Sequence, residues 1–162
     1  MSALVEIRPA TVADARMLVL RAADREEVEA LTGRDPREAL VASVERSASA
    51  WAGRADGELV CLFGVVPMSL VGVVGVPWLL GSDAVARYGR PFLRRNRVYL
   101  REMLRVFPVL RNVVDARNAV SIRWLRWLGF TLGTPQPMGV RGLPFIPFEM
   151  LAQSEAEGRA PC

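Results

Sequence analysis

The chain has 162 residues, 51% hydrophobic and 23% charged, which is enough for one domain with a real core and too little for two ordinary ones. That balance excludes the disordered and highly charged fibrous classes. All 21 basic residues are Arg, against 17 acidic ones, and there is no His, so imidazole metal ligands are missing and any general base must be a carboxylate, a Cys or bound water.

Residues 3–8 form a first strand ended by Pro9. Thr11 then caps a helix with Asp14 as its capping-box acid, and Val12, Ala15, Leu18, Val19 and Ala22 make one apolar face. An acidic helical segment over residues 25–31 is closed by Thr32-Gly33, and a third helix starts at Asp35-Pro36 with Leu40, Val41 and Val44 as its core face. A strand around Trp51, the turn Ala55-Asp56-Gly57, and two Val-rich strands at 58–66 and 70–80 follow. Residues 83–89 read as a polar connection, 91–107 as a helix with Leu93, Leu100, Leu104 and Phe107 on one face, and 109–114 as a buried strand. Asn118 caps a helix ended by Gly129. Residues 131–151 are broken by prolines and glycines into an irregular hairpin pair, and 152–162 read as a flexible tail after a single domain spanning 1–151.

The opening residues, with Glu6 and Arg8, do not resemble a signal peptide. Residues 59–82 carry no charge over 24 positions, long enough to span a bilayer, but Pro67, Pro77 and four glycines interrupt them and Pro67-Met68-Ser69 divides them into two strand-length halves, so a buried hairpin is expected and no membrane span. Cys61 and Cys162 outline no disulfide framework and fit a reducing compartment; no metal site is expected.

This element order, the opening Ile7-Arg8-Pro9-Ala10-Thr11 and the segment VDARNAVSIRWLRWLGF together resemble the GNAT (Gcn5-related N-acetyltransferase) fold. The resemblance implies an α/β (α+β) domain with a mixed central sheet of about six to seven strands and helices on both faces. If the chain is an enzyme, it implies acetyl-CoA as cofactor, with Asn118, Gly89 and Arg87 as candidate contacts. Two parts of the family pattern differ: the phosphate-binding glycine loop is replaced by GSDAVARYGRPFLRR, and Leu125 stands seven residues after Asn118, where the family's proton-donating Tyr is expected. The gap between the strands ending near Leu80 and starting near Val109 decides whether a pantetheine arm can enter.

Residues 77–132 show a narrower resemblance to GNAT-like internal virion proteins of short-tailed bacteriophages. It implies a virion structural or assembly role in which catalysis is undemonstrated and no cofactor is expected, located in the virion and the bacterial host cytoplasm, with portal, tail or internal core proteins as partners. Residues 87–126 hold 11 Arg and only Glu102 and Asp115, and Arg90, Arg94, Arg97, Arg101 and Arg105 share one helical face. With Arg123, Arg126 and Trp127 they are the candidate partner-binding residues; nucleic acid is a further possible partner, and a solvated helix face is the plain alternative. Glu58, Asp83 and Asp115 are the carboxylates nearest strand ends, with Asp115 and Glu58 as candidate bases for an amine, although turn formation and capping account for them as well. The leading expectation is a virion-associated pseudoenzyme that acts by binding; the alternative is a CoA-dependent N-acetyltransferase of an unidentified amine.

Overall fold

The computed structural model describes residues 3–153, so Cys162 and the expected tail from 154 onwards lie outside the described residues. The chain runs through β1 (Val5–Pro9), α1 (Val12–Met17), α2 (Ala22–Thr32), α3 (Pro36–Arg46), β2 (Ser49–Ala55), β3 (Glu58–Pro67), β4 (Val74–Gly81), α4 (Val85–Val106), β5 (Val109–Asp115), α5 (Ala119–Leu128), β6 (Thr131–Leu132), β7 (Gln136–Met138) and β8 (Leu143–Leu151). The strands make one sheet in the order β1-β2-β3-β4-β5-β8-β6, with β7 also paired to β8. It has eight strands where six to seven were expected, because the interrupted segment after Gly129 contributes two short strands, both laid against β8.

The uncharged run is the antiparallel β3–β4 hairpin, as the proline positions require, and no helix of the described residues is long and apolar enough to cross a membrane. Its second strand starts at Val74 rather than residue 70, and the intervening Leu70 and Val71 are exposed. One face of the sheet carries α1 and α3, with Ala15, Leu18 and Leu40 packed against Ala52 and Leu62. The other carries α4 and α5, with Phe92, Leu100 and Met103 against Cys61, Phe63 and Val65. From Cys61 to Phe63, alternation along β3 sends successive side chains to these two cores.

Two helix boundaries depart from the periodicity. The Thr11–Asp14 capping box forms, but α1 stops at Met17, with Leu18 extended (φ −68°, ψ 121°). Leu18 goes into the core, and the Arg21 N–H docks on the Gly81 carbonyl at 2.8 Å. A helix continued to Ala22 would spend that N–H within itself, so the chain breaks and restarts as α2. Conversely, α4 begins at Val85 and passes through Pro91. Proline forfeits one helical hydrogen bond, and burial of Val85 and Phe92 on either side of it offsets the loss. Gly89 permits the α4–α5 contact, since a Cβ there would lie 2.6 Å from the Trp124 ring.

Only β4 and β5 run parallel, and they pair solely at Val74 with Val109 and Gly75 with Leu110. The next β5-facing position on β4 is Pro77, which has no N–H to offer the ladder. The strands therefore part, and α2 is drawn over the opening by Asp24, which is 1% exposed. Asp24 accepts from the Gly81 N–H at 2.8 Å and pairs with Arg21 at 2.7 Å. Breaking a buried pair leaves the partner charge uncompensated. Asp24→Ala is expected to cost about 3–5 kcal/mol in urea denaturation.

Candidate functional site between the parted strands

The opening between β4 and β5 exposes backbone groups that a continuous sheet would pair, and side chains satisfy most of them. Asn112 donates from Nδ2 to the Pro77 carbonyl at 2.7 Å and accepts the Val113 N–H at 2.8 Å. Glu27 accepts the Asp115 N–H at 2.8 Å, and Asp24 takes that of Gly81. Because Pro77 and Gly81 both face the opening, the two-residue alternation turns the Leu79 N–H and C=O the same way. Leu79 is thus the one β4 residue between Pro77 and Gly81 that keeps an unspent amide toward the opening, among the described residues.

Five polar side chains, Arg21, Asp24, Glu27, Asn118 and Ser121, meet at the α2 side of this opening. Asn118 caps α5 by accepting the Ser121 N–H, and it also accepts from Arg21 Nη2 at 3.2 Å. Its own amide donates to Glu27 Oε2 at 2.9 Å and Asp24 Oδ1 at 3.4 Å. Arg21 Nη2 also reaches Ser121 Oγ at 3.0 Å. Burial pushes the Glu27 carboxyl up; the hydrogen bonds from the Asp115 N–H and Asn118 oppose this, the negative charges of Asp24 and Asp115 add to it, and the result is a pKa of about 7. A carboxyl poised at neutrality on a cavity wall has the property of a general base.

A cavity of about 270 Å³ passes through the opening. On the α1–α3 side it touches Ala39, Ser43 and Trp78; on the α4–α5 side it touches Leu93, Leu100, Met103 and Leu125; Glu27 and Asn112 lie on its wall. Side chains narrow the gap without filling it. Its size is at the lower end of small-molecule sites and its lining is mostly apolar, as such sites commonly are.

Of the candidate site residues singled out from sequence, Asn118 and Asp115 stand at this opening and the others do not. Asp115 is buried beside the opening, but although burial raises its pKa, the hydrogen bonds and charge of Arg117 outweigh that and hold it below the ordinary carboxylate value. It is a fixed anion rather than a base. Glu58 is exposed and paired with Arg87 at 2.8 Å, away from the cavity. Gly89 is occupied by its contact with Trp124. The N–H groups of Val85, Ala86 and Arg87 are spent on Ser82, Asp83 and Ala84, so the start of α4 presents no glycine-loop cradle for phosphate. Asn118 is central, as a donor to carboxylates. Cys61 is fully buried, and burial together with the Asp24 charge pushes its thiol to about 12, which removes it as a nucleophile.

Arg90, Arg94, Arg97, Arg101 and Arg105 are all exposed along α4, and Arg123 and Arg126 are exposed on α5. Arg97 lies over the Trp127 ring at 4.1 Å from its centroid, and Arg105 pairs with Glu102. Trp127 is 45% exposed, whereas Trp124 packs against the core. Sequence reasoning missed Arg21, Asp24 and Glu27. A signal existed: Asp24, Glu27, Val28 and Leu31 share one helical face, which places two acids on an apolar stripe.

No family model matches the sequence, and no curated protein does. Solved structures do match it along nearly their whole length. The structure of yncA from Salmonella typhimurium with its cofactor acetyl-CoA superposes with a TM-score of 0.66 and 18% identity, covering 97% of this chain and 99% of that one. An acetyltransferase of the GNAT family from Streptococcus pneumoniae gives a TM-score of 0.63 at 14% identity over 93% of this chain and 100% of that one. The ribosomal-protein-alanine N-acetyltransferase from Brucella melitensis gives 0.62 at 24% identity over 90% and 99%. The parted parallel strands, the helices on both faces and these superpositions together identify the architecture as the GNAT fold.

Proposed function

We propose that this chain is a CoA-dependent acyltransferase acting on an amine. The observation that carries the reading is the open cavity between β4 and β5 with a carboxyl of pKa about 7 on its wall. The residues fit the acyl arm of the cofactor: the opening is apolar and unfilled, and Leu79 keeps its backbone amide toward it. At the phosphate end, exposed Arg side chains of α4 such as Arg90 and Arg94 take the place of a glycine loop. When bound, the thioester supplies an activated acyl carbonyl.

Glu27 is the proton acceptor for the amine. Its carboxylate is oriented by Asn118 and the Asp115 N–H, and a pKa of about 7 leaves roughly half of it ionised at neutral pH. Ser121 stands four residues before Leu125, hence on the same face one turn earlier, and both line the cavity. Its Oγ accepts from Arg21, which leaves the hydroxyl proton free to hydrogen-bond a departing sulfur. Ser121 therefore takes over the donor role that Leu125 cannot fill, with the Arg21 charge behind it.

A specific observation also favours a second reading, the virion structural or assembly protein. The exposed Arg90, Arg94, Arg101, Arg123 and Arg126, which pair with no carboxylate among the described residues, and Trp127 held by Arg97 form a surface suited to an acidic partner. Detection of the chain in purified phage particles by mass spectrometry supports this reading, and its absence from particles and assembly intermediates overturns it.

The acyltransferase reading is tested by thermal denaturation with acetyl-CoA. At 100 times the dissociation constant the ligand adds about 2.7 kcal/mol of stability, and no shift at millimolar concentration overturns the reading. Glu27→Gln is expected to lower turnover about 10²-fold or more and to abolish the rise of kcat/KM through about pH 7. The same variant reports on stability. The native state holds the Glu27 proton more tightly than the unfolded chain, so this contribution is complete below the ordinary 4.5 and lost as pH rises through about 7. Urea melts between pH 4.5 and 7 are therefore expected to show a flatter loss of stability for Glu27→Gln than for the parent.

A further inference from the structure

α4 turns Leu93, Asn96, Leu100 and Met103 toward the cavity, a helical stripe that is apolar except at its second member. Asn96 is 6% exposed, and its Oδ1 finds no hydrogen-bond partner among the described residues. A buried amide oxygen without a partner destabilises a fold, and leucine at this place would pack with its neighbours at no such cost. The carboxamide is therefore unexplained by the packing around it, and it belongs to the wall of the one cavity that passes through the sheet.

The β4 edge of the cavity has a matching feature. Along β4 the nitrogen of Pro77 has no hydrogen, its carbonyl is taken by Asn112, and both backbone groups of Gly81 are taken by Asp24 and Arg21. This edge thus offers a ligand only the Leu79 N–H and C=O. The cavity has two unspent amide units, one in the Leu79 backbone and one in the Asn96 side chain, in otherwise apolar surroundings. Rotation of the carboxamide by half a turn exchanges its donor and acceptor, so it can pair with an amide in either direction.

We infer that Asn96 is a ligand-binding residue that pairs with a secondary amide of the bound arm, compensating for the depleted β4 edge. The class of ligand is a flexible chain carrying two amides, as the pantetheine arm of an acyl-CoA does. In naming that ligand the inference rests on the acyltransferase reading. Asn96 makes no contribution to the charge around Glu27, and its role is to hold the arm.

The test uses the full chain in three forms: parent, Asn96→Leu and Asn96→Ala. Unliganded melting temperatures are measured for the parent and Asn96→Leu. Dissociation constants for acetyl-CoA and for acetyl-pantetheine, which lacks the phosphates, are measured by calorimetry for the parent and Asn96→Ala. The expected result is an unliganded Asn96→Leu at least as stable as the parent, with both ligands bound about tenfold more weakly by Asn96→Ala. Unchanged affinity for both ligands, or a loss confined to acetyl-CoA, overturns the role of Asn96 and leaves the acyltransferase reading standing. An unliganded Asn96→Leu that melts lower or fails to fold also overturns it, because the amide then serves the fold. A parent that binds neither ligand overturns both.

Discussion

Asp24 is an acidic side chain with almost no exposure, and the arrangement of the opening follows from the need to satisfy it. Its two oxygens are used by Arg21, the Gly81 N–H and Asn118, so the turn before α2, the end of β4 and the cap of α5 are tied to one carboxylate. Desolvating a charge is costly unless it is paired and hydrogen-bonded, and here every partner comes from a different element. The consequence is geometric. α2 cannot slide away from the parted strands without stranding a charge, so Glu27, one turn further along the same face, stays against the opening.

The parting of the strands has an equally local cause. A parallel pair held by two register positions reaches a proline whose nitrogen cannot donate, and the ladder ends there. The edges that are left would be unsatisfied, and Asn112, Glu27 and Asp24 satisfy most of them. What remains is a narrow apolar passage with polar side chains stationed at its walls. Burial against this apolar passage raises the pKa of the Glu27 carboxyl to about 7 without a His in the chain.

The chain differs from the GNAT pattern at two points that the structure explains in physical terms. Where a glycine loop would cradle phosphate, the first turn of α4 spends its N–H groups on the preceding carbonyls of Ser82, Asp83 and Ala84, and Gly89 serves close packing with Trp124 instead. Where a tyrosine would stand, Leu125 adds to the apolar lining, and a hydroxyl is supplied one turn earlier by Ser121. These changes leave exposed Arg side chains along α4 and the Arg21–Ser121 hydrogen bond as the polar features near those two places. They leave the passage itself open.

Much of this was legible in the residues alone. Periodicity, capping residues and proline positions determined the strands, the α5 cap at Asn118, the β3–β4 hairpin and the fold class, because those signals are local and each is set by backbone sterics or by burial of a single face. The exposed Arg face of α4 was equally readable from spacing. The candidate site was not. Asp24 and Glu27 sit on a short acidic helix that looks solvated in sequence, and apart from Arg21 their hydrogen-bond partners Gly81, Asp115 and Asn118 are 57 to 94 positions away. Whether a carboxylate is a surface charge or a buried base depends on desolvation, and desolvation is a property of what the fold brings around it. The same holds for the break of α1 at Met17 and the passage of α4 through Pro91, where tertiary hydrogen bonds and packing outweighed a helical pattern in one case and a helix breaker in the other.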